Sequence, residues 1–143
     1  MTGQPSVVSA SRLGLTFATN DGPVQALSNV DLSIGKGEFV SFIGPSGCGK
    51  TTFLRTIADL EQPTAGAITV NGMTPEEARK RRAYGYVFQA AALLPWRTIE
   101  KNVALPLEVM GVSGSEQKAR VKRTLELVNL AGFEKKFPWQ LSG

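Results

Sequence analysis

The stretch GEFVSFIGPSGCGKTTFLRTIADL, residues 37–60, decides the fold of this chain of 143 residues. A short apolar run, Glu38–Ile43, leads into a glycine-rich segment, and apolar residues at helical spacing follow between Lys50 and Leu60. The first run has the composition of a strand covered on both faces, and the last has the period of an amphipathic helix. The sequence therefore predicts a strand, a loop and a helix in direct succession.

The glycine-rich segment matches the pattern G-x-x-x-x-G-K-[ST], which predicts a phosphate-binding loop. Its glycines allow successive backbone N–H groups to point into one concavity, at the positive end of the following helix. Lys50 supplies a mobile positive charge, Thr51 a hydroxyl ligand for Mg²⁺, and Thr52 a further N–H and hydroxyl. The alternative, a glycine loop without a ligand, does not require Lys-Thr after it. The predicted nucleotide-binding residues of this segment are Gly44, Pro45, Ser46, Gly47, Cys48, Gly49, Lys50, Thr51 and Thr52.

Further strands and helices are predicted on either side of this unit. Alternating or β-rich runs predict strands, at Val7–Phe17, Ala26–Ile34, Ala67–Val70 and Tyr84–Phe88. Helical spacing predicts helices, at Pro75–Arg82, Thr98–Met110 and from Ser113 to about Leu130. Pro106 is expected to break or kink the second of these helices, and Ser113 with Glu116 predicts a capping box for the third. The order predicts a mixed α/β fold with antiparallel strands beside a nucleotide-binding unit.

Composition excludes several classes of chemistry and partner. The chain has no histidine, which excludes histidine-based acid–base and metal chemistry within it. The net charge of +4 is mild, and the densest basic cluster, residues 79–82, fits a solvated helix end, so we expect no nucleic-acid partner. The single cysteine and the absence of a recognisable signal peptide favour a reducing cytosol.

Over essentially its whole length the sequence resembles the ATP-binding subunit of ABC transporters. The resemblance rests on residues 37–72, on residues 84–107 and on the terminal Leu-Ser-Gly at 141–143. The stretches LLPWRT and NVALPLE resemble most the group that serves nitrate, sulfonate and taurine importers. The resemblance implies a P-loop NTPase core, with the β subdomain and core in residues 1–90 and the Q-loop and helical subdomain in 91–143. It also implies that the C-terminal part of the core is missing.

The resemblance implies further site residues. Phe17 would stack on adenine, although a core or edge role in its strand is an equally good interpretation. Gln89 matches a glutamine that contacts Mg²⁺ and the attacking water. Ser142 would reach the γ-phosphate held by the opposite subunit of a head-to-tail homodimer. Asp59 stands where the family usually has glycine, and we expect little effect from that change.

The resemblance also implies partners. Ala91–Trp96 would meet an integral membrane permease, with Leu93, Leu94 and Trp96 as apolar anchors. The alternative is that they pack under the adjacent helix, which is a good interpretation for one of the leucines.

Together these features imply a protein that binds ATP and Mg²⁺. Its full-length parent would hydrolyse ATP to drive import of a small solute, on the cytoplasmic face of the cell membrane. Because the chain ends at Gly143, before the family's catalytic glutamate, we expect this portion alone to be weakly folded and hydrolytically inactive. Two alternatives stay open: a non-catalytic nucleotide-binding module, and an ABC ATPase that works away from the membrane.

Overall fold

The computed structural model describes residues 5–90 and 92–141. The chain divides into two compact units, Met1–Val87 and Phe88–Gly143. The first unit holds strands β1 Ser6–Thr19, β2 Gly22–Gly35 and β3 Ala65–Val70, with helices α1 Lys50–Ile57 and α2 Pro75–Lys80. The second unit holds helices α3 Ile99–Val109 and α4 Gly114–Leu127, followed by a 3-10 turn at Pro138–Gln140.

The three strands form one antiparallel sheet in the order β2-β1-β3. A tight turn at residues 20–21 joins β1 to β2, so the two strands pair along almost their full length. Apolar residues of all three strands meet Phe53 of α1 in one core, which is formed by Ala10, Leu13, Leu15, Leu27, Phe53 and Ile68. The prediction of antiparallel strands beside a strand–loop–helix segment is confirmed for the strands and for the helix.

Helix α1 is anchored on this sheet by its apolar side. The rings of Phe53 and Phe42 meet edge to face, with centroids 5.4 Å apart. Thr56 is fully buried, and its hydroxyl is satisfied because it donates to the carbonyl of Thr52 at 2.9 Å. This packing holds the first turn of α1, and the glycine-rich segment before it, in a defined place beside the sheet.

Two predicted strands are not formed. Glu38–Ile43 and Tyr84–Phe88 carry no strand in the described structure. A strand needs a neighbour with which to exchange backbone hydrogen bonds, and the described strands pair only with one another. Phe39, Ile43 and Val87 are each 95% exposed as a result. The sequence predicted the composition of these segments correctly, but their partners are not among the described strands.

The end of α1 and the helix α2 are joined by a polar cluster that the sequence did not predict. Asp59 has a left-handed φ of 52°, which aspartate tolerates better than most residues. Its carboxylate accepts hydrogen bonds from Arg79 Nε at 2.8 Å and Gln62 Nε2 at 2.6 Å. Burial raises the pKa of Asp59, but the bonds from Arg79 and Gln62 and the nearby positive charges outweigh it and lower that pKa.

Helix α2 begins with a capping box that the sequence analysis missed. The hydroxyl of Thr74 accepts from the N–H of Glu77 at 3.2 Å, and the Glu77 carboxylate accepts from the N–H of Thr74 at 3.1 Å. The pKa of Glu77 is lowered by the bond from the N–H of Thr74 and, next, by a bond from the Thr74 hydroxyl to the same carboxylate at 3.2 Å. The signal was present, since a threonine three residues before a glutamate is the usual pattern.

The two helices of the second unit pack through Ile99 and Ala104 of α3 and Val121 and Leu125 of α4. Pro106 lies inside α3 without ending it, so of the two expected effects, a break or a kink, the break is wrong. The helix can continue because the proline removes only one helical hydrogen bond, the one to the carbonyl four residues earlier.

Two predictions about α4 are also wrong. Ser113 is its N-cap residue, but the side chain makes no capping bond, because its hydroxyl lies 3.5 Å from that of Ser115. The helix ends at Leu127 and not near Leu130, and Val128, its C-cap residue, is 54% exposed. Among residues 5–90 and 92–141, no helix is long and apolar enough to cross a membrane.

The Asp59 cluster predicts a pH-dependent stability. A carboxyl whose pKa is lowered by folding stabilises the fold above its ordinary value of 3.8, and that contribution is lost as the pH falls through the lowered value. We expect Asp59→Asn to lower the thermal midpoint by about 2–4 °C at pH 7. The difference should shrink toward zero below pH ~3. Thermal unfolding followed by circular dichroism at several pH values measures it.

The control is Glu76→Gln, because Glu76 pairs with Lys80 on the surface of α2 with both side chains more than half exposed. Exposed ion pairs of this kind contribute little to the free energy of unfolding. An Asp59→Asn effect no larger than that of the control would show that the cluster does not stabilise the end of α1.

Candidate functional site

The first turn of α1 presents an uncompensated positive end. The helix begins at Lys50, and its N-cap residue is Gly49, which offers no side chain to cap the first N–H groups. The first intrahelical bond runs from the N–H of Phe53 to the carbonyl of Gly49 at 2.8 Å. The N–H groups before it have no acceptor within the helix, and the first turn carries no acidic residue. This is the local structure that binds anionic oxygens.

Gly49 brings this helix end against the edge of the sheet. Its φ of 93° lies in the left-handed region. A Cβ built on Gly49 would lie 2.6 Å from the carbonyl oxygen of Ala26 and 3.0 Å from Leu27 Cδ2. Ala26 and Leu27 belong to β2, so the loop passes so close to the sheet that only glycine fits there. The sequence pattern therefore has a direct steric cause at this residue.

The ammonium group of Lys50 is folded back onto its own loop. It donates to the carbonyl of Gly44 at 2.8 Å, to the carbonyl of Pro45 at 2.6 Å and to Cys48 Sγ at 3.3 Å. All three of its N–H donors are therefore used inside the loop. Phosphate oxygens carry negative charge and make stronger bonds to an ammonium than neutral carbonyls do. A bound phosphate would compete for Lys50 and draw it out of this arrangement.

A concave surface of about 400 Å³ lies beside the loop. Its walls are mostly apolar, and the loop contributes one side of it through Cys48, Gly49 and Lys50. The rest of the loop is exposed to solvent from Pro45 to Gly47. The N–H groups of the first turn and Lys50 thus lie beside an accessible part of the first unit.

The two threonines after Lys50 differ in surroundings. Thr51 is exposed in the first turn of α1, so its hydroxyl is available to a ligand, whereas Thr52 is half-buried. The described residues contain no cluster of three or more His, Cys, Asp or Glu side chains able to hold a metal ion. A hydroxyl oxygen is a suitable donor for Mg²⁺, which usually binds nucleotides through one or two protein oxygens and the phosphates. Thr51 fits that role.

The other predicted site residues are placed as follows. Phe17 lies in β1 opposite Val24 and is half-buried against the core, so part of its ring is still accessible. Its contact with adenine stays a prediction. Gln89 is exposed and belongs to the second unit, whereas the loop belongs to the first. Ala91 and Ser142 lie outside the described residues.

The segment predicted to meet a membrane subunit forms a turn before α3. The N–H of Arg97 donates to the carbonyl of Leu94 at 3.1 Å, which closes the turn. Trp96 is 71% exposed and Leu93 is 42% exposed, while Leu94 is half-buried. The alternative of packing beneath the helix thus describes Leu94 better than its two apolar neighbours.

Sequence reasoning missed Asn102. This residue is only 8% exposed, and its side chain bonds to the backbone of the turn before α3. The signal was a single asparagine at a helix position between Ile99 and Ala104, both of which are buried. A buried amide needs hydrogen-bond partners, so its place in the apolar stripe could have indicated a contact with the preceding loop.

The fold and the phosphate-binding loop together define a nucleotide-binding protein of the P-loop class. The sequence model of the family described as "ABC transporter" matches residues 27–143. The chain therefore belongs to the ABC transporter family.

Curated relatives include ATP-binding proteins of several importers. An uncharacterised ABC transporter ATP-binding protein of Methanocaldococcus jannaschii is 43% identical over 89% of this chain and 47% of its own length. A Fe(3+) ions import protein of Pasteurella multocida is 46% identical over 85% of this chain and 35% of its length. An aliphatic sulfonates import protein of Bacillus cereus is 39% identical over 95% of this chain and 52% of its length. The chain thus spans about half the length of the relatives it matches, or less.

Solved structures show the same fold. The chain superposes on a dimeric ATP-binding cassette, MJ0796, in a post-hydrolysis state bound to ADP and Pi, with a TM-score of 0.84 and 36% identity. The match covers 94% of this chain and 63% of that one. A second dimeric structure of the same bacterial cassette gives a TM-score of 0.83. The prediction of an ABC ATPase fold is confirmed.

The close approach at Gly49 predicts the effect of a methyl group there. Gly49→Ala adds both left-handed strain and a clash with the backbone of β2, so we expect a loss of about 1–3 kcal/mol in the free energy of unfolding. We also expect at least tenfold weaker binding of mant-ATP, since the loop must shift. Urea unfolding and fluorescence titration measure the two effects.

Gly72→Ala is the matched control. Gly72 has a similar left-handed φ of 73°, but nothing lies within 4 Å of a Cβ built there. Gly72→Ala should lower the free energy of unfolding only through left-handed backbone strain, and it should leave the mant-ATP affinity unchanged. Equal effects of the two substitutions on nucleotide affinity would contradict the steric account of Gly49.

Proposed function

We propose that this chain binds the phosphates of ATP, and that its full-length form is an ATPase subunit that drives import of a small solute through a membrane permease. The observation that carries the proposal is the open positive end of α1, with Lys50 folded beside it on its own loop. The membership of the ABC transporter family supports the same function.

Each proposed residue has a distinct chemical task. The N–H groups at the start of α1 hold phosphate oxygens, and Lys50 neutralises charge on the outer phosphates. Thr51 offers a hydroxyl oxygen to Mg²⁺, which when bound neutralises the charge that develops on the phosphates. Gln89 is proposed to orient the attacking water through its amide. Phe17 is proposed to stack on adenine, a contact that tolerates any base.

We also propose that this chain alone binds nucleotide without turnover. Lys50 is an ammonium, Thr51 a neutral hydroxyl and Gln89 a neutral amide, and none of them accepts a proton at neutral pH. Attack by water needs positioning together with charge neutralisation. The proposed residues therefore supply the cradle and the charge, and hydrolysis is assigned to the full-length subunit.

The proposed partners follow the resemblance. The full-length subunit would form a head-to-tail homodimer in which Ser142 contacts the γ-phosphate of the opposite site. Both solved structures of the MJ0796 cassette are dimeric, which supports this assembly. Ala91–Trp96 would contact the permease, and the exposure of Leu93 and Trp96 is compatible with that role. The subunit would then act on the cytoplasmic face of the membrane.

For the cargo, we propose the group of nitrate, sulfonate and taurine. Support comes from the stretches LLPWRT and NVALPLE at 93–98 and 102–108 and from the aliphatic sulfonates relative. Relatives named for methionine and Fe(3+) import match at similar identity. Uptake of radiolabelled sulfonate, competed by nitrate, taurine and methionine, distinguishes these cargoes.

Two substitutions test the proposed ATPase in the full-length subunit. Lys50→Ala should weaken ATP binding about 10- to 100-fold, because charge-assisted hydrogen bonds are lost. Gln89→Ala should lower kcat about a hundredfold with little change in ATP affinity, because its task is to orient the water. Fluorescence titration with mant-ATP and a phosphate-release assay give the two quantities.

Lys36→Ala is the control for loss of one positive charge, since Lys36 lies in the turn after β2 and outside the loop. It should leave both quantities unchanged. ATP turnover that survives Lys50→Ala would overturn the proposal. Binding without turnover in the full-length protein would favour a non-catalytic nucleotide-binding module.

A further inference from the structure

The turn that precedes α3 has a rigid construction. Pro95 occupies its second position, where the fixed φ of proline suits a turn. The bond from the N–H of Arg97 to the carbonyl of Leu94 closes it at 3.1 Å. Pro95 and Trp96 are therefore at the tip, and both are exposed. The backbone that carries this exposed indole is therefore closed into a defined turn.

Asn102 holds this turn from the helix that follows it. Its Oδ1 accepts from the N–H of Leu94 at 2.8 Å. Its Nδ2 lies within bonding distance of the carbonyl oxygens of Leu94, Arg97 and Thr98, at 3.1, 3.0 and 3.1 Å. Since the amide has two N–H donors, these three acceptors share them. These hydrogen bonds of the Asn102 side chain therefore all end on the backbone between Leu94 and Thr98.

A second contact holds the exit of the turn. Nη2 of Arg97 donates to both carboxylate oxygens of Glu108, at 2.6 and 2.8 Å. Glu108 lies near the end of α3, two turns of helix beyond Asn102. The Arg97 side chain is 19% exposed, so this pair is better shielded from solvent than most surface pairs. Both ends of the turn are thus fastened to α3.

Helix α3 is itself a firm support. Ile99 is buried in the core of the second unit. The N–H groups of Ile99 and Glu100 donate to the carbonyls of Lys136 and Glu134, at 2.8 and 3.0 Å. The start of the helix is therefore fixed to the 134–136 segment. Because the turn is bonded to this helix, the turn also has a fixed position within the second unit.

We propose that Asn102 is a positioning residue that holds Trp96 in a preset geometry for docking to the permease. The inference rests on the proposed function, which assigns Ala91–Trp96 to that contact. Ordering a flexible apolar side chain on binding lowers affinity, and a turn that is already ordered avoids that loss. The hydrogen bonds of Asn102 order the backbone on both sides of Trp96 before the partner arrives.

The choice of asparagine supports positioning over simple packing. An apolar residue of similar size would fill the core position between Ile99 and Ala104 without a buried amide to satisfy. Asparagine instead accepts from the N–H of Leu94 and donates to the carbonyl of Arg97, two backbone groups that the turn's own bond, from the N–H of Arg97 to the carbonyl of Leu94, does not use. Its effect should therefore appear at the turn and in docking, and not at the nucleotide.

The experiment uses the full-length subunit and its membrane permease, reconstituted in nanodiscs. Asn102→Ala should weaken binding of the subunit to the permease about fivefold. It should speed hydrogen exchange at the amides of Leu94 and Arg97, and leave the mant-ATP affinity unchanged. Trp96→Ala should weaken permease binding by at least as much, without changing hydrogen exchange elsewhere in the second unit.

Val121→Ala is the control for general loss of stability. Val121 is buried in the same core as Ile99, but its apolar side chain cannot hydrogen-bond to the turn, so its substitution should leave permease affinity and the exchange of Leu94 unchanged. Glu108→Gln is a second test that avoids the core. It removes the negative charge that pairs with Arg97, and it should weaken permease binding about twofold.

The outcomes separate the two proposals. If Trp96→Ala weakens permease binding and neither Asn102→Ala nor Glu108→Gln does, the positioning role is overturned and the permease contact stands. If Trp96→Ala has no effect, the contact proposed for Ala91–Trp96 is overturned, and the role of Asn102 with it. If Val121→Ala weakens binding as much as Asn102→Ala, the effect is one of stability and the inference is also overturned.

Discussion

The rest of the first unit depends on the contact between the backbone of Gly49 and the backbone of β2. The left-handed φ of Gly49 starts α1 at a point where a Cβ would meet the carbonyl of Ala26. From there Phe53 and Thr56 are buried, and the N–H groups of the first turn are left without a side-chain cap. A single steric constraint thus positions both the helix that completes the hydrophobic core and the positive end that attracts phosphate.

In the second unit, hydrogen bonds hold an exposed segment, the turn before α3, in position. Trp96, at the tip of this exposed turn, is 71% exposed, and the backbone of the turn is held by the buried amide of Asn102 and by the ion pair between Arg97 and Glu108. The Gly49 contact in the first unit and these bonds in the second each hold an exposed segment in a defined conformation. In the first unit the defined surface is polar and suits an anion, and in the second it carries an apolar side chain and suits a protein partner.

Local features were predictable from the sequence to different degrees. The antiparallel pairing of β1 and β2 follows from alternating residues around a short turn, and the start of α1 follows from the glycine pattern. The segments Glu38–Ile43 and Tyr84–Phe88 show the limit of such reasoning, because composition reports the tendency to form a strand and not the presence of a neighbour. The continuation of α3 through Pro106 shows it again, since surrounding contacts outweighed one lost helical bond.

The sequence by itself determined the class of protein, because the spacing of glycines, Lys50 and Thr51 is a chemical requirement that few other structures share. Only the tertiary structure decided which groups meet across the chain. The ammonium of Lys50 rests on carbonyls of its own loop, Asp59 joins α1 to α2, and Asn102 holds a turn eight residues before it. Such contacts depend on distances and directions in three dimensions, and the order of residues specifies these only after packing has brought the elements together.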